Sequence, residues 1–252
     1  MAINTLEKSE YKLEKTYQVS VFEQDVNHSI KPASLLNLLQ DIASCNIDNT
    51  NYSNPALNEQ NLGWFLVRYR IEFDKYPTGL NDIVLKTENR GVQKLSAYRD
   101  FEAFTITGER ILRATTSWLM VNLDTKSLVN IEQKFPNFFH FEKREDDLEL
   151  KKLRTLQEWN CEKTFHVRYE DLDMNGHVNN TVYISWAIEA LGFDFLTTHK
   201  IKNIDIYYKH EVRYGDDIIS YVKLNPEEKT TEHMIKNSQT GDEVCLIKFE
   251  WV

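Results

Sequence analysis

The sequence predicts an α+β protein in which an antiparallel sheet wraps on a helix, with the whole arrangement occurring twice. Two observations carry this. Strand-like runs follow one another through short turns, the connection antiparallel strands need, while only one long amphipathic helix stands in each half. The order strand, loop, helix, four strands occupies roughly residues 17–123 and returns over 165–252.

The first strand is read from about Tyr17, where Tyr17, Val19 and Val21 alternate with polar neighbours. A loop, Glu23 to His28, follows. Pro32 then opens a helix, because a proline's missing N–H would go unused in a first turn. Leu35, Leu38, Leu39, Ile42 and Ala43 recur at three- and four-residue steps and form its apolar face. Strand runs are expected at 64–73, 83–88, 96–107 and 111–123, with turn chemistry at Gly108-Glu109 and Asp124-Thr125-Lys126. In the second half Phe165–Tyr169 is a strand. A helix runs from about Val178 through Val182, Tyr183, Trp186, Ala187, Ala190 and Leu191, and strands follow at 204–212, 217–224, 232–238 and 244–252. The loops echo one another, Asp25-Val26-Asn27 against Asp173-Met174-Asn175. The ends of the halves do so too, Gly108-Glu109 through Trp118 against Gly241-Asp242 through Trp251. The expected division is residues 1–140, a charged linker over 141–160 that reads as solvated, and 161–252.

The formal charge of −9 argues against a general binder of nucleic-acid phosphates. Cys45, Cys161 and Cys245 form no paired spacing, so neither a disulfide framework nor a metal site is expected, and no redox cofactor is called for. No apolar run reaches the length of a membrane span, and the N-terminus around Asn4, Glu7 and Glu10 lacks a secretory apolar core. The reading is a cytoplasmic protein with free thiols.

Residues 167–191 hold the chemistry. Asp173, Asn175 and His177 stand at alternate positions immediately before an apolar helical pattern. An acid, an amide and an imidazole delivered to one helix entrance suit binding a carbonyl and directing water at it. They equally suit a polar turn that caps the helix.

Asp171-Leu-Asp-Met-Asn-Gly-His-Val-Asn-Asn180, followed by Tyr183-Ile184 and Trp186, resembles the signature of the acyl–acyl carrier protein thioesterases, a family of plant plastid enzymes and their bacterial relatives. Gly63-Trp64, Arg68, Asp74-Lys-Tyr-Pro77, Arg113-Ala114-Thr115 and Trp118-Leu-Met-Val-Asn122 are similar to the family's N-terminal half, so the resemblance covers roughly residues 10–250. It implies a tandem hotdog fold, two antiparallel sheets each wrapped around one long helix. It also implies hydrolysis of the thioester between a fatty acyl chain and the phosphopantetheine arm of acyl carrier protein. The implied catalytic set is Asp173, Asn175 and His177 from the signature, completed by Glu211. Plant members carry a cysteine directly after that glutamate. Here the position is Val212, which argues against a thiol nucleophile.

A thioester hydrolase without a thiol needs a water, a base and donors for the oxyanion. Glu211 is the base candidate, on a strand beside the helix. His177 orients the water or donates to the carbonyl, Asn175 bridges water and Asp173, and Asp173 holds the loop. Backbone N–H groups near Val178–Asn180 are the expected oxyanion donors. Replacing all three cysteines is expected to leave the chemistry intact. In the first half Asp25, Asn27 and His28 are near-echoes, with no evident counterpart of Glu211. That half is expected to house the acyl chain, with Leu38, Leu39, Ile42, Trp64 and Phe65 as candidate walls. Acyl carrier protein is the expected partner, with Arg90, Lys94, Arg99 and Lys209 as candidate docking cations. Exposed sheet edges also allow a homodimer. The competing readings are an acyl-CoA thioesterase on the same fold and a non-catalytic acyl-thioester sensor.

Overall fold

In the stretch Ser96–Phe104, Ala97, Arg99, Phe101 and Ala103 are buried while their neighbours are half-buried, the two-residue period of a strand with one face on a core. Leu35, Leu36, Leu39 and Ile42 are fully buried along one side of the first helix and press against that face. The computed structural model describes residues 12–48, 50–79 and 81–252, so the chain's first eleven residues lie outside it.

The elements run β1 (Lys12–Gln18), α1 (Pro32–Ile47), α2 (Asn54–Asn58), β2 (Leu62–Phe73), β3 (Asp82–Gln93), β4 (Ser96–Phe104) and β5 (Arg110–Asn122), then the single turn α3 (Ile131–Lys134). The second half gives β6 (Cys161–His166), α4 (Asn180–Glu189), α5 (Phe193–Thr198), β7 (Ile201–Tyr208), β8 (Asp217–Asn225), β9 (Thr230–Asn237) and β10 (Glu243–Trp251). All sheet pairings are antiparallel, and the strand order is β1-β3-β4-β5-β2-β7-β10-β9-β8-β6. The left five strands and the right five have the same internal order read from opposite edges. The hotdog architecture read from the sequence is therefore present, its two sheets joined edge to edge through β2 and β7 into one ten-stranded sheet. α1 and α4 pack against each other inside it, and residues of both helices and both halves share one core.

The repeat extends to side chains. Lys15 on β1 reaches Asp41 on α1 at 2.8 Å, and Lys163 on β6 reaches Glu189 on α4 at 2.6 Å. Both pairs are exposed, so they mark the duplication more than they stabilise it. At the junction of the halves Arg70 faces Asp205 directly in the β2–β7 register, each three residues before the end of its strand. Their side chains are 4% exposed and meet at 2.5 Å, with Glu72 also accepting from Arg70.

Several expected boundaries move. β1 lies earlier than read and stops at Gln18. Val21–Glu23 and Tyr169–Asp171 are 3-10 turns, with Val21 and Tyr169 exposed, because alternation over a few residues does not distinguish a strand end from a turn. α4 ends at Glu189, and α2, α3 and α5 were not expected. β7 stops at Tyr208, so Glu211 stands on the β7–β8 connection rather than on a strand. Residues 141–160 form no regular element but are not fully solvated. Asp147 accepts from the buried Arg90 at 2.7 Å, and Leu156 packs with Met234 and Leu246.

The halves differ in length: β2, β3 and β5 span 12, 12 and 13 residues where β7, β8 and β10 span 8, 9 and 9. The extra length carries a satellite core of Tyr52, Leu57, Leu62, Val92, Met120, Ile131 and Phe138, covered by α2 and α3.

In the second half His233 on β9 is 2% exposed, its Nε2 bonded to Thr231 Oγ1 at 2.9 Å and its ring edge-on to Phe249. Burial pushes its pKa down to about 3, so it folds neutral. The unfolded imidazole titrates near the ordinary value of about 6.5. Its contribution is therefore complete above that value and is lost as pH falls toward 3. Between those limits, unfolding free energies from urea titrations should fall more steeply for the parent than for His233→Leu, by up to about 1.4 kcal/mol per pH unit. Equal slopes would show that this ring does not govern acid lability.

Candidate active site

The loop before α4 is built on Asp173. Its Oδ1 accepts the backbone N–H groups of Asn175 at 2.8 Å and His177 at 3.3 Å, and its own N–H donates to the His177 carbonyl at 2.7 Å. Gly176 lies at φ +76°, where a glycine closes the turn without strain. The turn projects the imidazole outward at the entrance of α4.

A second segment meets it there. The Val178 N–H donates to the Val212 carbonyl at 2.9 Å, and His177 forms an isolated antiparallel bridge with Arg213. Val212 is fully buried and anchors the β7–β8 connection. Glu211, one residue earlier, is thereby held against the loop. His177 Nε2 and Glu211 Oε2 are 3.2 Å apart, with side chains 22% and 32% exposed. A water can reach both groups, and both lie within hydrogen-bond distance of one another. Asn175 is more exposed, and its Nδ2 lies 3.4 Å from Asp173 Oδ2, a long hydrogen bond. All four expected residues thus fall in one constellation, with His177 and Glu211 in contact and Asp173 behind the loop.

The expected oxyanion donors need correction. The Val178 N–H is taken by Val212, and the Asn179 N–H donates to the Asp171 carbonyl at 2.8 Å. Of that trio only the Asn180 N–H, in the first turn of α4, keeps the proposed role. Three positioning residues were not singled out. Asn179 is the N-cap of α4, its side chain accepting from the Thr181 N–H at 3.0 Å. Asp171, 3% exposed, accepts the Arg168 N–H at 2.8 Å and its guanidinium at 2.7 Å. The Tyr208 hydroxyl donates to the Asn180 carbonyl, tying α4 to β7. An Asn-Asn pair before an apolar run was the readable signal for the cap. Nothing local in the sequence announced the other two.

None of the cysteines is poised as a nucleophile. Burial raises the Cys245 thiol well above its usual range and raises Cys161 as well. Cys45 Sγ lies 3.8 Å from Asp41 and 3.7 Å from Lys15, two groups paired with each other between β1 and α1. A Cys45→Ser, Cys161→Ser, Cys245→Ala triple variant, alanine being chosen where a hydroxyl would be buried, should keep kcat for acyl-thioester hydrolysis. Loss of turnover with an unchanged circular dichroism spectrum would restore a thiol role.

The first half repeats the bonds that close the loop, while its Asn27 Nδ2 donates to the Thr197 carbonyl at 3.4 Å. Asp25 Oδ1 accepts from the Asn27 N–H at 2.8 Å and the Ser29 N–H at 2.9 Å, and the Asp25 N–H donates to the Ser29 carbonyl at 2.8 Å. The Ile30 N–H donates to the Pro77 carbonyl, as Val178 does to Val212. In this register His28 takes the place of Gly176, at φ +55°, so it is not the echo of His177. Ser29 stands where His177 stands, and Tyr76, the residue before Pro77, where Glu211 stands. The Tyr76 hydroxyl is committed to the Ile30 carbonyl at 2.9 Å.

Of the candidate walls, Leu38, Leu39 and Ile42 are core residues, Trp64 packs on the satellite core with its indole donating to the Tyr52 carbonyl, and Phe65 is half-buried. The candidate docking cations do not share a face. Arg99 is buried under α1, bonded to Asn46 and Thr87, Arg90 is engaged by Asp100 and Asp147, Lys209 is exposed but paired with Glu243, and Lys94 is exposed on a turn.

Among known families, the acyl-ACP thioesterase N-terminal domain matches residues 10–139 and the acyl-ACP thioesterase C-terminal domain residues 155–252. The chain is 28% identical to oleoyl-acyl carrier protein thioesterase 2 of Arabidopsis thaliana, over 95% of this chain and 70% of that one. It is 26% identical to the oleoyl-acyl carrier protein thioesterase of Coriandrum sativum, over 91% and 67%. Among solved structures, an acyl-ACP thioesterase from Bacteroides thetaiotaomicron superposes with a TM-score of 0.84 at 23% identity, covering 98% of this chain and all of that one. The 12:0-ACP thioesterase from Umbellularia californica gives 0.84 at 20% identity, covering 96% and 97%. These structures share the fold over nearly the whole chain. Among the described residues, no helix is long and apolar enough to cross a membrane.

Proposed function

Because the chain belongs to the acyl-ACP thioesterase family, we propose that it hydrolyses the thioester joining a fatty acyl chain to the phosphopantetheine arm of acyl carrier protein, with Glu211 and His177 activating the water and no cysteine nucleophile. The observation that carries this reading is the 3.2 Å contact between His177 and Glu211 at the entrance of α4, where both groups remain open to solvent.

In this mechanism a water lies beside the His177–Glu211 pair, within reach of both side chains. Glu211 takes its proton as the oxygen attacks the thioester carbonyl carbon. The oxyanion is stabilised by the Asn180 N–H and by the Asn175 amide, at the positive end of the α4 dipole. Collapse breaks the C–S bond, and the departing sulfur takes back the proton, giving a free fatty acid and the carrier thiol. Asp173 spends both backbone acceptances on holding the turn, so its role is to fix His177 in place. Residues 161–252 then carry the chemistry, the first half receives the chain, and 141–160 connect them. The longer strands and satellite core of the first half support that division. Such an enzyme works wherever acyl carrier protein is charged, the cytoplasm on the sequence reading.

The test is incubation with acyl carrier proteins of graded acyl length, measuring free acid, beside the matching acyl-CoA series. Preferential release from the carrier protein is expected. Preference for CoA esters would move the substrate to the rival thioesterase, and the absence of release from either would leave a sensor.

A further inference from the structure

A cavity of about 620 Å³ opens where the first-half loop meets the far end of α4. Its floor and one wall come from Asp25, Asn27, Ser29 and Tyr76, the first-half counterparts of Asp173, Asn175, His177 and Glu211. The opposite wall comes from Ile188 at the end of α4, Phe193 and Leu196 on α5, and Trp251 at the end of β10. It lies roughly 12 Å along α4 from the catalytic entrance, by the helical rise over eight residues. The volume falls within the range of small-molecule sites.

Two features separate this cleft from a lost active site that has filled in. The bonds from Asp25 that close the turn are retained, while the base and imidazole are replaced by groups that cannot activate water: Ser29, and a Tyr76 whose hydroxyl is already donated. The wall opposite the loop is apolar, and Phe193 and Val26 stay 69% and 70% exposed at the lip. The charges around it are unequal in availability. Asp25 Oδ1 is taken by its own turn, and Glu189 is paired with Lys163. Lys31 donates one N–H to the Phe22 carbonyl, and among the described residues the Lys200 ammonium has no partner; beside it the exposed His199 ring stacks on Phe195 with Nδ1 engaged by Thr198 and the Phe195 carbonyl, which leaves Nε2 for a ligand.

We propose that this cavity is a second, non-hydrolytic binding site for a long-chain carboxylate, its head on Lys200 and His199 and its chain along Phe193, Leu196 and Trp251. The ligand class rests on the proposed reaction only in that such a carboxylate is that reaction's product. The recognition argument is independent of turnover: an apolar wall beside two ammonium groups, Lys31 and Lys200, neither in an ion pair among the described residues, selects an amphiphilic anion.

The experiment is binding of a dibrominated fatty acid to the full chain, followed by tryptophan quenching and, with the unbrominated acid, by calorimetry. A quenching component should disappear in Trp251→Phe. Lys200→Glu, on an exposed side chain, should weaken that component by about tenfold, as loss of a charge-assisted contact requires. The methyl ester should bind as weakly to the parent. Leu196→Arg should abolish the component, and Lys200→Glu should hydrolyse a short acyl thioester at the parental rate. Equal affinity of Lys200→Glu and parent, equal binding of acid and ester, or quenching that survives Trp251→Phe unchanged would overturn the assignment. Because binding is read without turnover, failure of the hydrolysis assay leaves this result separately interpretable.

Discussion

Glu211→Ala and His177→Ala should each lower kcat on acyl-ACP by about a hundredfold or more, the scale of a general base or its partner, with melting temperature preserved. Both side chains are partly exposed and neither supports the core, so a stability effect is not expected to confound the reading. The sharper result comes from the double variant. If the two groups hold one water, they act as a unit, and removing both costs little more than removing the worse one. Multiplying losses would mean two separate contributions and would break the shared-water mechanism. Near-parental turnover in Glu211→Ala would remove the base assignment altogether. Asp173→Asn belongs to the same series. It keeps an acceptor for the loop N–H groups, so it should fall well short of the loss in Glu211→Ala.

Arg70→Met should destabilise the protein by about 3–5 kcal/mol, measured by denaturant unfolding, because it leaves the Asp205 carboxylate buried without its cation. The double variant Arg70→Met, Asp205→Leu should recover most of that loss, since a buried ion pair is often matched by well-packed apolar residues. Burial already pushes the Asp205 carboxyl above its usual range, against the pull of Arg70. The sign follows: a raised folded-state pKa means that the folded form takes up a proton first. Arg70→Met should therefore regain stability as pH falls toward the acid range. A pH-independent deficit, or a double variant no better than the single one, would show that the damage is to packing and not to charge.

The architecture was readable because both of its signals are periodic. Alternation in Ser96–Phe104 and the three- and four-residue apolar steps of Leu35 to Ala43 depend on burial of one face, and one face is what the sheet and α1 bury. Strand ends were misjudged where that link fails: Val21 and Tyr169 look like strand residues but point to solvent. Three of the four proposed site residues were legible because they lie within five positions on one turn. Glu211 is different. It reaches His177 through the carbonyl of Val212 and the bridge at Arg213, contacts between positions more than thirty residues apart, and only the family resemblance pointed to it. The register of the first-half loop was misread for a related reason. Sequence places His28 near the histidine position, whereas the backbone bonds assign that position to Ser29.

The Arg70–Asp205 pair has a bearing on ancestry. The two residues hold equivalent places in their repeats and face one another across the pseudo-twofold axis. In a true homodimer a residue at that spot meets its own copy, so the interface would set guanidinium against guanidinium or carboxylate against carboxylate. Opposite charges there are available only where the two copies differ in sequence. Severed into separate polypeptides, the two repeats should therefore reassemble as unlike partners, with each self-pairing penalised at its centre.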